Sequence, residues 1–202
     1  MYGLADFGEG SEGQKKHRVI LNSALSIPFG DIDERDDTPA AAQAQLPYPM
    51  QLGSGTVDFK PGLTYLGQSE NWSWGAQGIG TFRIGRNSND YSLGDRFEST
   101  AWLALEISKN LSASFRSAWS VWNNIDGADP LLNPNVVPTA DPLLRGGRRV
   151  DLGAGLNFLF TDGPLKAFRL AGEFLFPVYE NLDGPQLETE WNATFGIQKS
   201  FG

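Results

Sequence analysis

Apolar residues recur at every second position through almost the whole chain, and the face they define is nearly free of charge. A repeat of two places side chains on alternate sides of a β-strand. Helical spacing is convincing nowhere. In the last segment Leu187, Thr189, Trp191, Ala193, Phe195, Ile197 and Phe201 share one face, and Glu188, Glu190, Asn192, Thr194, Gln198 and Ser200 the other. Upstream, Phe168, Leu170, Gly172, Phe174, Phe176 and Val178 oppose Arg169 and Glu173. Val150, Leu152, Ala154, Leu156, Phe158 and Phe160 oppose Arg149, Asp151 and Asn157. Leu111 to Val121 sets Phe115 and Trp119 against Arg116 and Ser120, and Phe97 to Ile107 sets Leu103 and Leu105 against Arg96, Glu98 and Glu106. Trp72, Trp74, Ala76, Phe82 and Ile84 alternate with Ser73, Gln77, Thr81 and Arg83; Val57, Phe59, Leu63 and Tyr65 with Asp58, Lys60 and Thr64; Val19, Leu21, Leu25 and Ile27 with Arg18, Asn22 and Ser26. Tyr2 to Phe7 is a weaker ninth segment.

The charge count decides what such faces are for. Of roughly fifty positions on them, about ten would be charged at the chain's 20% charged composition, yet only Lys199 is, near an end where it can snorkel. A charge near a bilayer midplane costs about 2–4 kcal/mol, and this pattern is what that penalty leaves. Connections alternate as well: short near 8–15, 68–71, 109–110 and 162–166, long near 30–54, 86–94, 123–147 and 180–186. Short turns at one rim and long loops at the other are the outer-membrane arrangement. The predicted fold is therefore all-β: one domain over residues 1–202, an antiparallel transmembrane β-barrel of eight or nine strands with 1–15 as a weak first strand and turn. Closure follows because an open sheet edge in lipid leaves backbone groups unpaired.

Composition removes other classes. With 24 acidic against 16 basic residues the net charge is −8, which excludes a nucleic-acid partner needing a basic stripe. Aromatics at 12% exclude disorder despite 24 glycines. The absence of cysteine excludes disulfides and thiolate metal sites. No apolar run is long enough for a membrane helix. Met1 to Gly13 shows neither the basic nor the apolar region of a signal peptide, so the expectation is a processed, truncated or wrongly started chain. If Tyr2–Phe7 is a ninth strand pairing with the one that begins near Arg18, the even strand number of bacterial barrels makes this the carboxy-terminal part of a larger barrel; otherwise eight strands close alone.

The faces assign residues to roles. The polar face is expected to line the lumen with Arg83, Glu98, Glu106, Arg116, Arg149, Asp151, Arg169, Glu173, Glu188 and Glu190, beside Asp58 and Arg96. Both signs occur, so salt-bridged pairs are predicted, Arg149 or Asp151 with Arg169 or Glu173 among them. The membrane-facing aromatics are Trp72, Trp74, Trp119, Phe158, Phe174, Trp191, Phe195 and Phe201. Several aromatics, with Tyr65, Phe160 and Phe168, cluster near strand ends as interfacial girdles do. Phe201, penultimate on the last strand, resembles the signal read by the outer-membrane insertion machinery. Acidic loop residues (Asp31, Asp33, Asp126, Asp129, Asp141, Asp183) suit either turn chemistry or a hard cation. Two phrases recur: Asn124-Ile125-Asp126-Gly127 with Asn181-Leu182-Asp183-Gly184, and Ala128-Asp129-Pro130-Leu131-Leu132 with Ala140-Asp141-Pro142-Leu143-Leu144. His17 is the single histidine, with no nucleophile motif beside it, so no catalytic residue, metal ligand or cofactor is assigned.

Leu46-Pro47-Tyr48-Pro49-Met50-Gln51-Leu52-Gly53-Ser54-Gly55-Thr56, Trp72-Ser73-Trp74-Gly75-Ala76-Gln77, Tyr91-Ser92-Leu93-Gly94-Asp95-Arg96 and Gly184-Pro185-Gln186-Leu187-Glu188 carry a resemblance. Together they resemble a family of Gram-negative outer-membrane proteins of the phenol-degradation (meta-pathway) transporter type, over most of Leu21–Phe201. The resemblance implies the bacterial outer membrane, a lipid-embedded barrel, and passage of a small solute, hydrophobic or aromatic. It also implies that the family's amino-terminal part, with signal peptide and early strands, is lacking here. That part is methionine-rich in the family, whereas this chain has only Met1 and Met50. The competing reading is a structural or adhesive barrel whose acidic loops bind a partner or cation.

Overall fold

The structure, a computed structural model, describes residues 2–7 (as backbone), 16–38 and 41–199. Nine long strands make one antiparallel sheet in chain order: β1 (Tyr2–Phe7), β2 (Lys16–Ser26), β3 (Val57–Gln68), β4 (Trp72–Ile84), β5 (Arg96–Glu106), β6 (Leu111–Trp122), β7 (Gly147–Leu159), β8 (Phe168–Leu182) and β9 (Asn192–Lys199). Every strand pairs with its chain neighbours, as a meander of hairpins must. No α-helix occurs among the described residues; three short 3-10 turns lie in the long loops.

Tyr2–Phe7 does pair with β2, through Phe7 opposite His17 and Tyr2 opposite Leu21. β2 is thus flanked by β1 and β3. Among the described residues no ladder joins β2, or β1, to β9, so the sheet has two free edges and is not the self-closed eight-stranded barrel. The short connections 69–71, 107–110 and 160–167 fall at one rim and the long ones (27–56, 85–95, 123–146 and 183–191) at the other.

The sheet leaves its apolar face exposed and shelters its polar one. The apolar face is open: Phe115 is 53% exposed, Leu156 57% and Phe195 84%. The polar face is the covered one, with Asp58 at 2%, Thr81 at 6% and Ser120 at 7%. The two further sheets are two-stranded and lie in the long loops, Arg35–Asp36 with Ala44–Gln45 and Tyr91–Ser92 with Asp126–Gly127. The strands supply almost none of the buried hydrophobic residues, Ile20 excepted; the others lie in the long loops, in Ile32, Tyr48, Tyr91, Ile125 and Ala140.

Two details depart from strict alternation. A β-bulge at Val178 lets Val150 oppose Tyr179 while Asp151 opposes Pro177. Past it the phase of β8 shifts by one, so Tyr179 joins the apolar face and Glu180 stands opposite Arg149 on the polar one. The last strand is also shorter than its sequence pattern, beginning at Asn192 rather than Leu187. Thr189, expected on the apolar face, accepts a hydrogen bond from Arg149 Nη1 at 2.8 Å on the other side.

Candidate functional site

The polar face is built by alternation and held by ion pairs. Arg83 of β4 bonds Asp58 of β3, directly opposite it in register, and Thr56 Oγ1 donates to the other Asp58 oxygen at 2.9 Å. Arg96 and Glu98, two apart on β5, meet at 2.9 Å. Arg149 and Asp151, two apart on β7, meet at 3.0 Å. Arg116 of β6 reaches Glu173 of β8 at 2.7 Å, right across β7. That span is open because the β7 residues beneath it are Gly153, opposite Arg116, and Gly155, opposite Glu173. A Cβ on Gly155 would lie 2.7 Å from Ser114 Oγ, which would have to turn aside.

The predicted charge network therefore exists with different partners. Arg149 pairs with Asp151 and Glu173 with Arg116, in place of the expected Arg149–Glu173 and Asp151–Arg169 pairs. Arg83, Glu98, Arg116, Arg149, Asp151 and Glu173 all carry ion pairs, with Asp58 and Arg96 as the remaining partners. Arg169 and Glu106 line a separate cleft of about 290 Å³ at the short-turn rim, with Asn110, Ser112 and Asn157, and make no ion pair among the described residues. Glu188 and Glu190 are exposed and precede β9, so neither stands on a ladder of the polar face.

Sequence reasoning missed two tryptophans here. Trp102 and Trp122 fall in the polar phase of β5 and β6, and each carries a guanidinium: Arg116 lies 5.9 Å from the Trp102 ring and Arg96 5.5 Å from Trp122. Their even positions among odd apolar residues were the available signal. Between the charges runs a neutral row, where Asn22 and Gln77 both donate to Thr64 Oγ1 at 2.8 and 2.7 Å.

On the apolar face Trp72, Trp119, Phe158, Phe174, Trp191 and Phe195 are exposed. Trp74 is half-buried, its indole lying over Gly67, where a Cβ would collide with the ring. His17 and Tyr65 share a 2.8 Å hydrogen bond beside it, and the His17 ring packs against both aromatics. At the opposite rim Phe97 packs on Trp119 and Arg148 lies over Tyr179, while Trp191 stacks on Phe174 of mid-β8. Phe201 lies outside the described residues.

The long loops interlock. Tyr48, Tyr91 and Ile125, from three different loops, form a buried cluster. The Asp129 backbone N–H donates to Tyr48 Oη at 3.0 Å, and its carboxylate accepts from Asn89 at 3.2 Å and Gln45 at 3.4 Å. Burial pushes the Tyr91 hydroxyl up to about 12 and raises Tyr48 too. The repeated phrases explain themselves here. Asp129 accepts from the Leu131 N–H and Asp141 from the Leu143 N–H, the same turn made twice. Asn124 of one phrase donates to Asp183 of the other at 3.0 Å. Arg145 ties in the fourth loop by donating to the Pro185 carbonyl at 2.8 Å; burial lowers its pKa. Asp126 pairs with Arg86. The loop acids act as turn and cross-loop acceptors, and the described residues hold no group of three or more ligands suited to a metal.

No family model matches the chain, and no curated protein matches it.

Proposed function

We propose that this chain is an outer-membrane β-barrel protein that passes a small solute, its free edges joined so that no backbone group faces lipid unpaired. One observation carries the reading: aromatic and aliphatic side chains cover the exposed face of the sheet while ion-paired and hydroxyl groups fill the sheltered one. Water would reverse that choice, since exposed apolar patches of this extent mark contact with lipid or protein. Aromatics at both rims suit the membrane interfaces, and loop length segregated by rim suits a periplasmic and an external side. The resemblance to the meta-pathway transporter family supports the same location. Lipid is then the partner of the apolar face, and the outer-membrane insertion machinery reads the last strand.

The test is expression in a Gram-negative host with a signal peptide supplied. Recovery in outer-membrane fractions, heat-modifiable migration in detergent gels and conductance in planar bilayers are expected. A soluble, monomeric product would overturn the location; a correctly inserted protein that conducts nothing would overturn transport. The interlocked loops, with exposed Val136, Leu143 and Leu187 at their tips, favour one second reading, a barrel that presents a rigid cap to a partner. Partner binding without conductance would select it.

A further inference from the structure

Resting on the channel reading above, we infer that the pathway is built for small uncharged polar solutes and against ions of either sign. The chain as a whole is strongly acidic, at −8, yet its polar face is not. The four ion pairs there set four arginines against four carboxylates, each guanidinium within hydrogen-bonding distance of its partner. By register the rest of that face adds Lys16, Arg18, Lys60 and Arg169 against Asp6, Glu106 and Glu180, one positive charge in surplus. Within the four pairs opposite charges cancel over a few ångströms. Such a wall, one positive charge from neutral, offers little net potential to repay an entering ion for its lost water, because attraction and repulsion largely offset beyond the pair.

Neutral solutes meet different terms. The groups between the pairs are hydroxyls and amides, and of these Asn22, Gln77 and Thr100 stay partly exposed beside the buried Thr64 and Ser120. A hydroxylated solute exchanges its water for these at little cost. The two inward tryptophans are already occupied by Arg96 and Arg116, which locks the guanidinium heads in place and keeps the charge balance from rearranging.

The experiment is swelling of liposomes that contain the purified protein, in a pentose, in sodium gluconate and in N-methylglucamine chloride. The pentose should enter at least about threefold faster than either charged solute. Glu173→Gln frees Arg116 and should raise gluconate entry relative to wild type; Arg116→Gln frees Glu173 and should raise N-methylglucamine entry instead. The loops are the same in both variants, so opposite shifts read the wall alone. Charged solutes entering as fast as the pentose, or both variants shifting the same way, would overturn the inference while leaving a channel. No entry of any solute would overturn the channel reading with it. Should the variants fail to give the heat-resistant folded band, the wild-type ratio alone decides.

Discussion

Asp58 shows how much one residue carries. It is 2% exposed, bonded to Arg83 and to Thr56, and it sits where β3 meets the long-loop rim. Asp58→Asn leaves the Arg83 charge sheltered without a counter-ion, which should lower stability by about 3 kcal/mol in a denaturant titration. Asp58→Asn with Arg83→Met should recover part of that loss, since replacing both partners removes the stranded charge. Tyr91 gives a second residue-scale expectation. Its hydroxyl, raised by burial from 10.0 to about 12, stays neutral in the folded loops while the unfolded tyrosine ionises. The folded state therefore binds more protons between those values, and the loop stability it contributes is complete below pH 10 and lost as the pH rises towards 12. Limited proteolysis of the loops should accelerate across that window, and Tyr91→Phe should flatten the transition. Individual residues were unevenly legible. The strand phases placed Arg83, Glu98, Arg116 and Glu173 on the right face because alternation fixes orientation. Their partners were illegible, because pairing depends on register and on gaps such as Gly153 and Gly155.

At the scale of elements the apolar face makes an asymmetric prediction. Phe174 lies mid-strand in β8 and is 47% exposed. In lipid vesicles Phe174→Arg should cost about 2–4 kcal/mol of unfolding free energy. A sheet whose exposed face meets water would lose no more than about 0.5 kcal/mol for the same change. The β8 bulge makes another. Deleting Val178 removes the extra residue and leaves every other side chain on its present face, so folding yield should hold. Deleting Leu152 from the regular β6–β7 ladder reverses all that follows it in β7, and folded protein should be lost from a heat-modifiability gel. The sequence pattern located eight strands and both classes of connection, since a two-residue period and turn residues are local signals. The bulge and the late start of β9 were hidden. Leu187 to Trp191 alternates as a strand would, yet Thr189 turns to Arg149, a long-range contact that periodicity does not encode.

The whole molecule sets one antiparallel sheet, with its apolar face exposed and its polar face sheltered, beside a cap of its own interlocked loops. The sheet was legible because membrane-like faces are a composition signal repeated strand after strand; the cap was not, because Tyr48, Tyr91 and Ile125 are far apart in the chain and alternate with nothing. That cap carries a consequence for inheritance. Residues at its tips, such as Val136 and Leu187, touch little and are free to drift. Tyr48, Asn89 and Asp129 are not, since each completes the hydrogen bonding of another loop. A single loop borrowed from a divergent homologue would arrive without its counterparts, whereas the three borrowed together would bring their own lock. Variation in this protein is thus channelled: surface identity changes point by point at the tips, and loop architecture changes only as a block.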